Sequence, residues 1–156
     1  GENLISSALD NLYSFFYGIE VYEMGVANIL KTIEKKEINN LKIILGDAIE
    51  VLEKNSTEDY FDEILIFFPD PWPKRKHNKR RLISENFLYD IKKVLKNDGL
   101  LIIKTDWKDY AKEIEQNVKK TFGRYRKFLD KKSNLTTKYE KIALKENRQI
   151  TYFETY

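Results

Sequence analysis

The chain has 156 residues, of which 28 are basic and 25 acidic, with one histidine, no cysteine and 42% apolar residues. The length fits one domain of about 100–200 residues, and the apolar share excludes a disordered chain. The lack of cysteine excludes disulfides and zinc–thiolate sites and fits a reducing compartment, so we expect a cytoplasmic protein. No apolar run reaches the ~18–20 residues that a membrane helix needs. We therefore expect neither a membrane nor a metal as a partner.

The hydrophobic periodicity switches between helical and strand spacing along the chain, without a repeat or a linker, and predicts one α/β domain. The predicted elements are helix 2–11, strand 15–21, helix 24–36, strand 41–45, helix 49–54, strand 61–68, helix 84–96, strand 100–104, helix 108–121, strand 125–129, a short helix within 137–145 and strand 149–154. The run from Ile64 to Phe68 is apolar without alternation, which predicts a strand buried on both faces of a parallel sheet. Ser84 is predicted to cap its helix, and Asn97-Asp98-Gly99 to turn the chain into the next strand.

The net charge of +3 is concentrated in one segment. Residues 74–81, the basic segment, hold six of the 28 basic residues and no acid. Outside it, the remaining basic residues are outnumbered by the 25 acidic ones. Such local charge predicts contact with a polyanion. A second basic stretch, 119–132, is interleaved with aromatic residues and fits an amphipathic surface element equally well.

Three acids follow successive predicted strands, namely Glu20, Asp47 and Asp70. In an open α/β sheet, ligands bind outside the carboxyl ends of the strands. Glu20 is placed to accept hydrogen bonds from a ribose diol, and Asp47 to accept one from an adenine amino group. A single acid at such a position is more often a helix cap or part of a solvated turn. Three in series favour a nucleoside-containing cofactor.

The most specific motif is Phe-Phe-Pro-Asp-Pro-Trp-Pro at residues 67–73, which leads directly into the basic segment. It contains all three prolines of the chain, and these fix the backbone and exclude a helix. The rigid turn would hold Asp70 and Trp72 at the mouth of the strand. A stiff surface turn with a packed indole is the alternative. Beside the basic segment we favour a site where Lys and Arg dock phosphates while Trp72 or Asp70 works near a base.

These motifs resemble those of the tRNA (guanine-N7-)-methyltransferases, which use S-adenosylmethionine. The resemblance covers nearly the whole chain. It rests on Gly18-Ile19-Glu20-Val21, Gly25-Val26-Ala27, Asn40-Leu41 before Gly46-Asp47-Ala48, Thr105-Asp106-Trp107, Thr137-Lys138-Tyr139-Glu140 and, above all, residues 67–82. It implies a Rossmann-like class I methyltransferase sheet flanked by helices. It also implies methyl transfer from S-adenosylmethionine to N7 of a guanosine in tRNA, in the variable loop.

The resemblance further implies roles for particular residues. The cofactor site would be lined by Glu20, Asp47 and Asp70, with Asp70 as the catalytic residue. The substrate guanosine would meet Lys74, Asp106, Thr137, Lys138, Tyr139 and Glu140. The tRNA would be touched by Lys76, His77, Asn78, Lys79, Arg80 and Arg81. Taken alone, Asp106 and Glu140 fit ordinary cap or surface acids, and His77 fits a backbone or RNA contact better than catalysis.

The chain also departs from the family pattern. The family's first strand carries an acid and a glycine-rich loop, and Gly1 falls where the last glycine of that loop would stand. Because that strand is central in the fold, its absence would leave two strand edges unpaired. We therefore expect a truncated copy of a longer chain. Glu146-Asn147 stands where many members have a glycine, so we expect the last turn to differ.

Two other functions remain open at this point. A catalytically inactive RNA-binding remnant of the same fold would keep the basic segment and lose cofactor affinity. Methylation of a small molecule or a protein on the same fold is the other, and the basic segment disfavours it. We expect a monomer, with a homodimer as the alternative.

Overall fold

The computed structural model describes residues 1–54, 57–130 and 137–156. The helices are α1 (Glu2–Asp10), α2 (Glu23–Lys35), α3 (Ala48–Lys54), α4 (Glu85–Val94), α5 (Lys108–Phe122) and α6 (Lys138–Lys145), with a 3₁₀ helix at Arg75–Arg80. The strands are β1 (Phe16–Glu20), β2 (Leu41–Leu45), β3 (Phe61–Phe67), β4 (Leu95–Thr105), β5 (Tyr125–Leu129) and β6 (Thr151–Thr155). This order confirms the predicted alternation of helices and strands. The end of the second basic stretch lies outside the described residues.

The chain divides into two compact units, residues 1–55 and 56–156. Each unit has its own sheet, of two strands in the first and four in the second. The expectation of one domain that lacks its first strand stays a prediction.

In the first unit, β1 and β2 are parallel, with Phe16 opposite Leu41 and Glu20 opposite Leu45. Its core is formed by Ala8, Ile38 and Leu41. The Asn40 amide donates to the carbonyls of Ala8, Asn11 and Ser14 at 2.9–3.0 Å and so ties the end of α1 to the start of β2. Both strands therefore end at one edge, where the residues that follow them meet.

In the second unit the strand order is β3-β4-β6-β5. The pair β3–β4 is parallel, whereas β6 runs antiparallel to both β4 and β5. Helices α4 and α5 cover β4, β5 and β6 with buried residues such as Leu88, Ile91, Ile114 and Val118. The end of β3, the end of β4 and the start of β6 lie at one edge, because Phe67 pairs with Lys104 and Thr105 pairs with Thr151.

Two predictions for this sheet are wrong. None of the β3 residues is fully buried and Leu65 is 38% exposed, because β3 is at the end of the strand order and the helices pack on its neighbours. Residues 97–99 do not precede the next strand but lie within β4. The register jumps there from Phe61 opposite Leu95 to Glu63 opposite Leu100, so the turn forms an irregularity inside one long strand.

Two local predictions concern helix ends. Ser84 caps α4 as predicted, since its hydroxyl accepts from the Phe87 N–H at 3.3 Å. Asn147, in the turn that we expected to differ, has a φ of 54°. This is the left-handed region that glycine favours and that asparagine tolerates better than most residues. The turn after α6 thus has a conformation that suits a glycine.

Candidate functional site

Glu20 and Asp47 lie next to each other at the carboxyl edge of the first unit. Glu20 ends β1, and its carbonyl accepts from the N–H of Gly46 at 3.0 Å. One oxygen of each carboxylate is used locally: Glu20 Oε1 accepts from the Tyr22 N–H at 2.9 Å, and Asp47 Oδ1 from the Ile49 N–H at 2.8 Å. A Cβ at Gly25 would lie only 3.3 Å from Glu20 Cγ, so the glycine leaves space beside that carboxylate.

Asp70 lies in the second unit, in the loop after β3. A pocket of about 280 Å³ is lined by Asp70, Pro71, Trp72 and Pro73. The loop is held in an unusual conformation, with φ of 54° at Phe68 and 41° at Trp72. Such values are strained for residues with large side chains and persist where surrounding contacts enforce them. Asp70 is exposed in this loop, and the rigidity that the prolines predict stays a prediction.

The indole of Trp72 is enclosed by the basic segment. The Arg80 guanidinium lies over its ring at 4.9 Å, and the His77 ring meets it edge-on at 5.8 Å. With the side-chain amide of Asn78 assigned in the orientation that satisfies both its oxygen and its nitrogen, the nitrogen donates to the carbonyls of Trp72 and Lys74 at 3.1 and 3.2 Å. His77 and Asn78 thus contact the loop itself.

The basic side chains of this segment divide into two groups. Five are exposed, namely Lys74, Arg75, Lys76, Lys79 and Arg80. Arg81 is 2% exposed at its side chain and forms ion pairs with Glu113 and, at 2.9 Å, with Asp109. Burial opposes the charge of the guanidinium, but the hydrogen bonds to the two carboxylates outweigh it and raise the Arg81 pKa. The contact of Arg81 with RNA stays a prediction, and these surroundings argue against it.

Asp106 follows β4 at the same edge as Asp70. Its carboxylate pairs with Arg148 at 2.6 Å, and Arg148 also pairs with Glu146 at 2.8 Å. Asp106 therefore connects the loop after β4 to the turn after α6. The side chain is 14% exposed, so it lies at the surface of this edge rather than in the core.

The segment 137–140 starts α6 and lies against the Asp70 loop. Thr137 caps the helix, accepting from the Glu140 N–H at 2.9 Å. The exposed Tyr139 stacks on Phe68 with ring centroids 6.2 Å apart, and Lys138 is exposed beside it. The second unit thus gathers, around one edge, Asp70, Lys74, Asp106 and the segment 137–140.

Glu140 differs from its neighbours because it is buried. It pairs with Lys104 Nζ at 3.3 Å and accepts from the Tyr152 hydroxyl at 2.8 Å. The Lys104 ammonium also lies over the Phe67 and Tyr152 rings, at 4.4 and 4.9 Å. Burial and the bond to Glu140 raise the pKa of Tyr152.

Sequence reasoning missed Lys104 and the two carboxylate partners of Arg81. The signal for Lys104 was a single charge at the end of the apolar run Leu100–Ile103. No comparable signal marks Arg81, because its two carboxylate partners lie 28 and 32 residues further along the chain.

Within residues 1–54, 57–130 and 137–156, no group of His, Cys, Asp or Glu side chains could hold a metal ion. No helix in the described part of the chain is long and apolar enough to cross a membrane.

The fold is similar to that of methyltransferases of known structure. A solved structure described as an antibiotic-related methyltransferase matches 99% of this chain and 81% of its own, with a TM-score of 0.69 at 17% identity. A family model described as "Putative methyltransferase" matches residues 1–153. The tRNA (guanine-N(7)-)-methyltransferase of Wolbachia pipientis wMel is 38% identical over 99% of this chain and 69% of its own length. The chain belongs to the tRNA (guanine-N7-)-methyltransferase family.

The protein of the same name from Buchnera aphidicola subsp. Schizaphis graminum is 40% identical over 96% of this chain. The match spans 65% of that relative's length.

Proposed function

We propose that this protein transfers a methyl group from S-adenosylmethionine to N7 of a guanosine in tRNA. The observation that supports this most is the Asp70 pocket, which opens beside exposed cations of the basic segment. A carboxylate suited to a base and cations suited to phosphates are thus neighbours in one unit. The variable loop as the target, the cytoplasm as the location and a monomer as the working form belong to the same proposal.

Two residues of the first unit suit the cofactor. Glu20 and Asp47 each have a carboxylate oxygen beyond the one bonded to the backbone, so a ribose diol and an adenine amino group both find acceptors at that edge. Gly25 leaves the space beside Glu20. S-Adenosylmethionine supplies an electrophilic methyl group when it is bound. The role of Asp70 in cofactor binding stays a prediction from the resemblance.

The proposed methyl transfer requires little of the protein beyond positioning the two reactants. Guanine N7 has a lone pair in the ring plane, so no base must remove a proton before it attacks. Holding N7 in line with the methyl group can supply up to about 7–11 kcal/mol. Methylation leaves a positive charge on the purine, which the Asp70 carboxylate can stabilise while it accepts from the N–H edge of the base.

The remaining contacts follow from exposure and charge. Lys74, Asp106 and the segment 137–140 surround the Asp70 pocket on our proposal and contact the guanosine. Lys76, Lys79 and Arg80 contact phosphates, and His77 and Asn78 shape the loop while they lie near the RNA. Arg81 is left out of the phosphate contacts because of its burial.

The proposal is tested by incubating the protein with methyl-labelled S-adenosylmethionine and unfractionated tRNA. We expect label in tRNA and chain scission at the labelled guanosine after reduction and aniline treatment, a reaction specific to N7-alkylated guanine. The matched control is a tRNA transcript built with 7-deazaguanosine, which has no N7 and must stay unlabelled. tRNA binding without cofactor binding would contradict the proposal and favour the inactive RNA-binding alternative.

We also predict the salt dependence of tRNA binding. Replacing Lys76, Lys79 and Arg80 by glutamine should reduce the slope of log Kd against log salt by about 2, since each phosphate contact contributes about 0.7–0.9. Filter binding at several salt concentrations measures this slope. The control changes the exposed Lys31 and Lys35 on α2 and Lys36 directly after it to glutamine, which removes the same charge. An equal effect of both triple variants would contradict a local phosphate contact.

A further inference from the structure

The side chain of Arg81 has three different hydrogen-bond acceptors and almost no contact with solvent. Its Nε donates to the Pro71 carbonyl at 2.9 Å, and its two terminal nitrogens donate to Asp109 and Glu113. The guanidinium plane lies over the Tyr110 ring at 4.9 Å. All of these partners belong to the second unit.

The positive charge of Arg81 is already paired within the protein, so little of it is available to bind a phosphate. Its positive charge is matched by two carboxylates on α5, and its side chain is 2% exposed. A buried charge is stable where it is paired and hydrogen-bonded. Removing it leaves its partners without a counter-charge, which is unfavourable. The neighbouring Arg80, by contrast, is exposed and lies over Trp72.

The acceptor Pro71 lies between the two residues that the loop presents, Asp70 and Trp72. Three residues of this loop are prolines and have no N–H to donate, so hydrogen bonds to its carbonyls are important for holding it in place. Arg81 holds the Pro71 carbonyl, and Asn78 holds those of Trp72 and Lys74. The positive φ of Trp72 requires such support.

The other end of this contact is helix α5, which follows the loop of Asp106. Asp109 and Glu113 are one turn apart at its start. Arg81 therefore ties the loop after β3 to the helix after β4.

We propose that Arg81 is a positioning residue: through Pro71 it fixes the turn that presents Asp70 and Trp72, and it does not bind tRNA phosphate. The expected effect of Arg81 on reaction rate rests on the proposed methyl transfer. In the enzyme, a loosened turn lowers the rate of transfer from bound tRNA, because misplacement of a catalytic group by about 1 Å can cost up to 10²-fold.

The test compares Arg81→Lys with Arg124→Lys, a change of the same chemistry at an exposed residue after α5. Lysine keeps the charge but cannot reach three acceptors in three directions. We expect kcat to fall about 10- to 100-fold with little change in KM for tRNA or in its salt slope. In a Trp107→Phe background, which leaves Trp72 as the remaining tryptophan, acrylamide quenching of Trp72 should increase. Arg124→Lys should match the parent in all four measurements.

A raised KM and a flatter salt slope, with kcat and quenching unchanged, would show that Arg81 contacts RNA and would overturn the proposal; so would no change at all. If circular dichroism shows that Arg81→Lys is unfolded, the Glu113→Gln variant, which keeps Arg81 but weakens its hold, replaces it with the same expectations. If the parent protein methylates no tRNA, the proposed function fails, and the quenching measurement alone decides whether Arg81 fixes the turn.

Discussion

Replacement of Asp70 by alanine is expected to abolish methyl transfer while tRNA affinity changes far less. The carboxylate is exposed in the pocket after β3 and carries no ion pair in the described part of the structure. Its charge is therefore available to a bound base. Removing one preorganised group that stabilises transition-state charge costs about 10²–10³-fold in kcat, and loss of base orientation adds to that.

Affinity should respond differently from rate. On the proposed function, phosphate contacts supply most of the affinity for tRNA, and an acid contributes no attraction to them. Single-turnover transfer and filter binding on the same tRNA separate the two quantities. The control is Asp98→Asn, an exposed acid in the irregular part of β4, far along the strand from the edge where Asp70 lies. Near-normal turnover by Asp70→Ala would refute the catalytic assignment.

Local sequence signals predicted the elements that depend on them. Strands β2 and β5 begin and end at the predicted residues, because each is a short apolar or alternating run between turn residues. The cap at Ser84 likewise depends on neighbours along the chain. The prolines predict correctly that residues 67–73 form no helix. They do not predict the shape of the turn, because Phe68 and Trp72 each precede a proline and still have positive φ rather than the extended backbone favoured there.

The other errors concern contacts between distant residues. The burial of β3 depends on which strands the helices cover, and the apolar run Ile64–Phe68 does not contain that information. The role of Arg81 depends on Asp109 and Glu113, and that of Lys104 on Glu140, 36 residues away. A cation in a basic run looks the same in the sequence whether it faces solvent or carboxylates.

Residues 137–140 illustrate both cases. The sequence motif predicts a contact with guanosine for all four residues, and the structure uses them in different ways. Tyr139 and Lys138 are exposed at the edge, Thr137 caps α6, and Glu140 points both oxygens at protein groups. The Glu140 side chain is only 6% exposed, so its burial argues against a direct contact with guanosine, and that contact stays a prediction.

The ion pair of Lys104 with Glu140 leads to the second large prediction, a loss of stability. Both side chains are nearly inaccessible, at 2% and 6% exposure, so solvent screens the pair little. Lys104→Met keeps the apolar stem but leaves the Glu140 carboxylate buried without its cation. We expect the free energy of unfolding to fall by about 3–5 kcal/mol, the usual cost of removing one partner of a buried pair.

Urea unfolding followed by tryptophan fluorescence measures this loss in the relevant unit, because Trp72 and Trp107, the only two tryptophans, both lie there. The double variant Lys104→Met/Glu140→Gln should recover much of the loss, since the glutamine is neutral and its carbonyl still accepts from the Tyr152 hydroxyl. The surface pair Lys54–Glu50 serves as the control: Lys54→Met should cost less than about 1 kcal/mol. If Lys104→Met also lowers the free energy of unfolding by less than about 1 kcal/mol, the stability does not depend on the pairing of Glu140 with Lys104. The position of the segment 137–140 would then be due to the Thr137 cap and the Tyr139 stack.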